Sequence, residues 1–376
     1  MSTAGIPGKI NVRQFNIINN FGGSKASQSN IWNVVKGMTI YEGIFDTCMY
    51  GMAKIEDSNN LYSALPITND SYLKIVIENP TTGQKVQGLY RIYKVSDIHQ
   101  ESTKLQTYII HFVSVELYNF KKVRISKHVK GDIPGAIQEI HSQVSTKPIS
   151  VTKDAAKANI IIPYLNAGSA IQLLVENAKW KGTRPDYCYW ETFRGYNCKS
   201  LAACMLENPI HDFSTSISTG NEIYNGFDYN DFIKITDMIG DQNYDGIHTL
   251  YGGAAGSTIY VYNPLEGSCD IKMIGEEPLS QIYSFSSDTL DYQALSSRHQ
   301  ILSNIASGYY YIRVPGMLSR SAGDLANVTI YNGNNMNIKD ITLSGRRLIC
   351  GIAHVISMDE YYQNITLGDY YLGDGK

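Results

Sequence analysis

Four stretches of this 376-residue chain carry side chains and spacings from which chemistry is commonly built. In "DQNYDGIHTLYG", Asp241, Asn243, Asp245 and Gly246 follow the DxNxDG spacing of a calcium loop, where oxygens at alternate positions converge on one cation. The twelfth position is Gly252 instead of the bidentate glutamate, and no helical pattern flanks the stretch, so it reads as an Asx-rich turn. "YGGAAGST" has the glycines of a phosphate cradle, but no lysine precedes its serine and it does not link a strand to a helix, so it reads as a loop. Glu191, Asp212, Glu276 and Glu277 supply carboxylates of the kind that act in pairs on glycosidic bonds, yet nothing in the sequence sets two of them at a working separation.

The fourth stretch is "SGRRLICGIAHVISMDEYYQNITLG", in which His354 interrupts an apolar row. A general base or metal ligand needs partners, and none is evident; a polar residue near a strand end needs only a hydrogen bond. No GxSxG elbow, HExxH helix or Ser/His/Asp arrangement in matching context occurs. The six cysteines, Cys48, Cys188, Cys198, Cys204, Cys269 and Cys350, include no CxxC pair, which speaks against structural zinc and for reduced, mostly buried thiols. The expectation is a non-enzyme with no catalytic residue, no cofactor site, no cofactor and no metal ligand.

The elements that would position these residues are mostly strands. Residues 9–20, 31–57, 72–78, 88–98 and 104–117 are rich in Ile, Val, Tyr and Thr and punctuated by Gly, Asn and Pro. In "LQTYIIHFVSVE" both parities are apolar, with Leu105, Ile109, Val113 and Val115 on one face and Tyr108, Ile110 and Phe112 on the other; such a strand needs cover on both sides. Two helices stand out. Asp132 caps the first, with Pro134 in its first turn and Ile133, Ile137, Ile140 and Val144 as its apolar stripe. In the second, Ser169 and Gln172 read as a capping box, Ile171, Leu174, Val175 and Ala178 as the stripe, and Gly182 as the stop. His141 falls at the edge of the first stripe, a surface or half-buried place. The fold class is mainly β with an α/β middle region.

Composition narrows the function. Charged residues make up 18% of the chain, below the roughly 25% usual for soluble proteins, and tyrosine contributes 28 residues. That balance suits surface covered by partners, since Tyr gives contact area at modest entropic cost, and it equally suits a β-rich fold that favours aromatic residues in strands. A net charge of −3 with no long basic run gives no electrostatic case for nucleic acid or an anionic membrane. The start "MSTAGIPGKI" lacks the pattern of a secretory signal, and no apolar run approaches the ~20 residues of a spanning helix, so the protein is expected to be made and kept in a cytosol until assembly.

A weak internal repeat links residues 88–111 to 345–368 at a constant offset of 257. It pairs Gly88 with Gly345, Val95 with Ile352, Asp97 with His354, Ile98 with Val355, Leu105 with Tyr362, Tyr108 with Ile365 and Ile110 with Leu367. Each copy reads as strand, polar turn, strand.

Several segments then suggest a family. "CYWETFRGYNCKSLAACMLENP" resembles the aromatic-Glu-x-x-x-Gly-Tyr-x-x-x-Ser-Leu segment of baseplate hub proteins from contractile-tailed bacteriophages, through Glu191, Gly195, Tyr196, Ser200 and Leu201. "DFIKITDMIGDQNYDGIHTLYGGAAGSTIYVYNPLEGSCDI" is similar to the hub segment that leads through a Gly-Tyr-type turn to a strand, with the order altered to Tyr251-Gly252. "YYYIRVPGMLSRSAGDLANVTI" is similar to the family's strand, Val-Pro-Gly, Ala-Gly-Asp run, through Val314, Pro315, Gly316, Ala322, Gly323 and Asp324. Leu343, Ser344, Gly345 and His354 resemble its last hairpin, and "MTIYEGIFDTCMYGMAKIED" its early strand pair.

The resemblance implies two domains with the fold of a tail-tube subunit, three chains forming a ring of six similar barrels, and a role as adaptor between a threefold spike and a sixfold tube. Implied partners are the other two chains of a homotrimer, the central spike protein, the tail tube or its initiator, and baseplate wedge proteins, with no nucleic acid and no membrane. The implied location is the virion tail baseplate, assembled in the host cytoplasm. By analogy the first tube-like β-barrel spans 9–117, an α/β middle domain 118–205, the second β-barrel 206–235 with 305–368, and an insertion domain 236–304. Two alternatives accompany this reading. One is the hub part of a bacteriocin-like or secretion-type machine, usually fused to its spike, whereas this chain ends at "LGDYYLGDGK". The other is a tail-associated cell-wall hydrolase.

Overall fold

The computed structural model describes residues 8–370 apart from 20–26, 60, 65–66, 68–70, 81–82, 103–104, 154, 216–222, 225–226, 229–233, 240–252, 254–255, 277, 287–289, 333–334, 342 and 359. The calcium-type loop from Asp241 to Gly252, and Glu277, lie outside the described residues.

The chain opens with β1 (Asn11–Asn19), β2 (Ser27–Asn30), β3 (Val35–Gly43), β4 (Tyr50–Asp57), β5 (Tyr72–Glu78), β6 (Lys85–Ser102) and β7 (Leu105–Ser114). The middle holds β8 (Arg124–Gly131), β9 (Ile149–Val151), β10 (Ala158–Asn166), β11 (Tyr187–Thr192) and β12 (Gly195–Ser200), with helices Ile133–Val144 and Ala167–Asn177. Then come β13 (His211–Ser214), β14 (Ile223–Tyr224), β15 (Phe227–Asp228), β16 (Asp237–Ile239), β17 (Ser257–Asn263), β18 (Ser268–Ile274) and β19 (Ser280–Phe285). Helix Tyr292–Ser307 leads to β20 (Tyr310–Pro315), β21 (Leu325–Thr329), β22 (Tyr331–Asn332), β23 (Asn335–Lys339), β24 (Gly345–Ser357) and β25 (Tyr361–Gly368).

The fold is mainly β, and both ends of the chain enter one 13-stranded sheet with the order β16-β20-β25-β24-β3-β4-β7-β6-β5-β1-β2, β21 lying beside β24 and β13 beside β21. Alternation explains the inward face: on β5, Leu73, Ile75 and Ile77 are buried and their neighbours half-buried. Phe15, Ile55, Ile75, Ile110 and Phe112 belong to one core, and Phe213, Ile312, Val314, Val328, Ile352 and Ile365 to another. The barrel form expected for each half is not closed by strand pairing among the described residues: the sheet is an open path whose two halves join where β3 pairs antiparallel with β24.

The halves are built alike. In chain order β1, β3, β4, β5, β6 and β7 have counterparts β13, β16, β20, β21, β24 and β25, and the neighbours match strand for strand. Gly88 faces Ile75 and Gly345 faces Val328; Arg91 faces Tyr72 and Leu348 faces Leu325. A β-bulge then follows between Ile92 and Lys94 in one copy and between Ile349 and Gly351 in the other. On the return strands the offset of 257 fails. Ile92 faces Phe112 and Ile349 faces Leu367, residues 255 apart, so Ile110 corresponds to Ile365 and not to Leu367. Strand β6 carries two further bulges, at Ser96–His99 and Gln100–Ser102, that β24 lacks, which accounts for the slip of two residues. One pairing differs in sense: β1 runs antiparallel to β5, β13 parallel to β21.

In the middle region Asp132 caps its helix as expected, accepting from Gly135 N at 3.1 Å. The second helix starts earlier than expected: Asn166, at the end of β10, accepts from Ser169 N at 2.9 Å, so Ser169 lies inside the helix, which stops at Asn177, well before Gly182. Strand β16 continues the main sheet by pairing with β20, while β17, β18 and β19 form a separate sheet against which Leu295 packs.

Candidate functional site

Four of the five segments that carry the resemblance meet at one buried junction of the two halves and the middle region. Its centre is the hairpin of β11 and β12, with Thr192 opposite Gly195. Gly195 has φ +122°, and a Cβ there would lie 2.5 Å from Pro148 O, so the turn requires glycine. Glu191, wholly buried, accepts from Met49 N at 2.8 Å and Ser114 Oγ at 2.9 Å and pairs with Lys147 Nζ. Lys147 also reaches Glu116 at 2.8 Å. Burial pushes the Glu191 carboxyl up against the opposing pull of Lys147, whereas at Glu116 Lys147 and Ser114 outweigh burial and hold the carboxyl below its usual range. The ammonium of Lys147 is held up by the two carboxylates despite burial.

The next side chains reach toward the second half. Trp190 Nε1 donates to Ala322 O at 3.0 Å, and its ring lies where a Cβ on Gly323 (φ +91°) would stand, 2.5 Å from Cζ2. Asp324 accepts from Ser321 N and His211 Nε2, both at 3.0 Å, and from Arg194. Glu42 on β3, buried, accepts from Ala322 N at 2.9 Å and Phe193 N at 3.2 Å. Ser200 caps the helix Leu201–Leu206 and donates to Asp186 at 2.6 Å. Ser344 Oγ ties the backbone of Ile330 through both its N–H and its carbonyl. A Cβ on Gly316 would meet the Tyr361 ring at 2.2 Å.

His354 lies fully buried in this region. Its Nδ1 lies 2.9 Å from Tyr361 Oη, its ring meets Phe193 edge to face at 4.8 Å, and Nε2 faces Glu42 at 3.7 Å. Gln363 beside it donates to Met317 O at 2.8 Å and accepts from Arg320 at 3.0 Å. The residue expected at a strand end is thus part of an internal polar lock. His141 is also buried, against the expectation of a surface or half-buried place, because Tyr189 Oη at 2.7 Å and Lys147 O at 2.8 Å satisfy both its ring nitrogens.

The candidate carboxylates are dispersed: Glu191 in the junction, Asp212 on β13 accepting from Asn327 at 3.0 Å, and Glu276 exposed after β18. Among the described residues no group of three or more His, Cys, Asp or Glu could hold a metal ion, and no helix is long and apolar enough to cross a membrane. Five cysteines are buried and Cys269 is exposed. Sequence reading missed Glu42, Glu116, Lys147 and Trp190, whose partners lie at distant places in the chain except for Ser114 beside Glu116. On the surface a groove of about 660 Å³ is lined by Phe45, Tyr50, Tyr93, Val113, Tyr118 and Lys121.

No family model matches the chain, and no curated protein matches its sequence. Solved structures do. The tail protein from Neisseria meningitidis MC58 aligns at a TM-score of 0.53 and 12% identity, covering 96% of this chain and 97% of that one. The 43 kDa tail protein of prophage MuSo2 from Shewanella oneidensis aligns at 0.53 and 11% identity, covering 95% and 100%. At these identities the likeness is one of fold: over nearly its whole length the chain has the fold of these two tail proteins.

Proposed function

We propose that this protein is the structural hub of a contractile phage tail baseplate: a homotrimer whose six sheet units form a pseudo-sixfold ring, joining the central spike on one face to the tail tube or its initiator on the other. The carrying observation is the duplication. Two halves with the same strand neighbours, one shared bulge and the same hairpin register up to Ser96 and Ala353 give one chain two near-equivalent units, so three chains present six. The fold shared with tail proteins supports the setting. Wedge proteins of the baseplate would contact the periphery, and the virion tail is the location, reached after assembly in the host cytoplasm.

The role is mechanical. The polar groups of the junction are used in holding backbone amides and one another, which supports rigid transmission and a non-enzymatic reading. We place the units at 9–117 and at 206–235 with 305–368, the middle domain at 118–205 and the insertion at 236–304. The cluster of Ile259, Val261 and Leu295 within the insertion and that of Phe213, Ile312 and Ile365 within the second unit support two parts of that division, while the largest cluster joins the middle domain to both units. Electron cryo-microscopy of the purified chain, alone and with its spike, tests the reading: six-lobed threefold rings are expected, and isolated single chains in both samples would overturn it. A lytic band on a cell-wall zymogram, lost on replacing one acidic residue, would overturn the non-enzymatic part.

A further inference from the structure

Among the described residues the duplication leaves one strand edge in each half without the neighbour its counterpart has. Strand β24 uses both edges: residues 351–356 pair with β25 on one side and residues 351–357 with β3 on the other. In β6 the counterpart residues pair with β7 on one side, and among the described residues no strand lies along the other side of 94–99. Tyr93 and Ile98 on that edge are each 48% exposed. At the opposite end of the sheet β16, the counterpart of β3, pairs with β20 alone among the described strands. Among the described residues the chain therefore carries, unmated, the two halves of a pairing that it makes once internally.

We propose that β16 of one copy adds antiparallel to β6 of a second copy, repeating across the chain boundary the β3·β24 pairing found within the chain. The inference rests on the ring reading for the number of copies; the edge and its register come from the duplication. Ala53 faces Met38 and its counterpart Ile312 faces Met238, so Thr39 corresponds to Ile239. On the receiving edge, His99 faces Thr107 and Val355 faces Tyr362, equivalent places once the bulge at Ser96–His99 is counted. Since Val355 faces Thr39, Ile239 is set opposite His99 of the second copy.

Three features of the edge fit a second copy. The internal joint is reinforced where Ile44 N donates to Cys350 O at 2.9 Å, and the counterpart of Cys350 is Tyr93, which lines the apolar groove beside the edge. Lys94 and the bulge at Asp97 (φ +51°) guard the edge against unspecific strand addition, which favours a partner of matching shape. The contact is also heterologous, joining different surfaces of two identical chains, so it closes without loose ends only in a ring.

The test is a pair of cysteines, His99→Cys with Ile239→Cys, in a Cys269→Ser background that removes the exposed native thiol. Oxidation followed by non-reducing electrophoresis should give a ladder ending at a covalent trimer, and each single cysteine should give none. Threefold mass in solution without the cross-link would overturn the edge pairing and leave the ring standing; a monomeric mass would overturn both. A ladder stopping at dimer would show a self-complementary contact and also overturn the pairing. Hydrogen exchange of the unmodified chain guards against a misfolded variant: amides of residues 94–99 should exchange at least tenfold more slowly in the assembly than in dissociated chain, and equal rates would refute the proposal.

Discussion

Replacing Glu42 by leucine should loosen the joint between the halves. The carboxylate is 2% exposed and serves two backbone donors, Phe193 N and Ala322 N, from opposite sides of the junction. Each buried N–H left without an acceptor costs about 1–3 kcal/mol, so the gross loss is about 2–6 kcal/mol. Relief from burying a carboxylate returns part of this, leaving a net loss of about 2–4 kcal/mol. Trp190, whose indole donates to Ala322 O, reports the region by fluorescence during urea unfolding. With a slope of about 2–3 kcal/mol per molar urea, the midpoint should fall by about 1 M. Glu42→Gln keeps one acceptor oxygen and should fall about half as far. A leucine variant within about 0.5 kcal/mol of the parent, inside the range of ordinary surface changes, would refute the lock.

Gly323→Ala places a methyl group against Trp190 at a positive φ, and the strain and overpacking together should cost about 2–4 kcal/mol in the same urea assay. An unchanged midpoint would mean that the Trp190 contact is slack. At Asp324 burial alone would raise the carboxyl, but the His211 hydrogen bond and the Arg194 charge hold it below its usual range. Its ionised form therefore favours the fold: that contribution is complete above about pH 4 and is lost as pH falls through the lower folded value. Asp324→Asn should accordingly flatten the acid side of a stability profile measured between pH 2 and 7, and a profile parallel to the parent's would contradict the assignment.

What the sequence made legible was local. Asp132 sits three residues before the amide that it caps, and Gly88 and Gly345 keep equal spacing to a bulge, so both were readable from nearby residues. The return strand was not, because two single-residue bulges in β6 consume chain without altering the hydrophobic alternation that carries the alignment. Ser169 offered a capping pattern as good as that of Asn166; the choice was made by where β10 ends against β8. Within the junction, Glu191 stood out as an acidic residue in a motif, but its meaning depends on Met49 and Lys147. Glu42 and its partner Ala322 lie 280 residues apart, a separation at which no sequence pattern connects them.

The central claim is that one duplicated chain supplies two of six units in a closed ring. Light scattering coupled to size exclusion measures it most directly, on the purified chain alone and with its spike protein. The account predicts an assembly containing three copies of the 41.9 kDa chain in at least one of these samples. A stable single copy in both would contradict it.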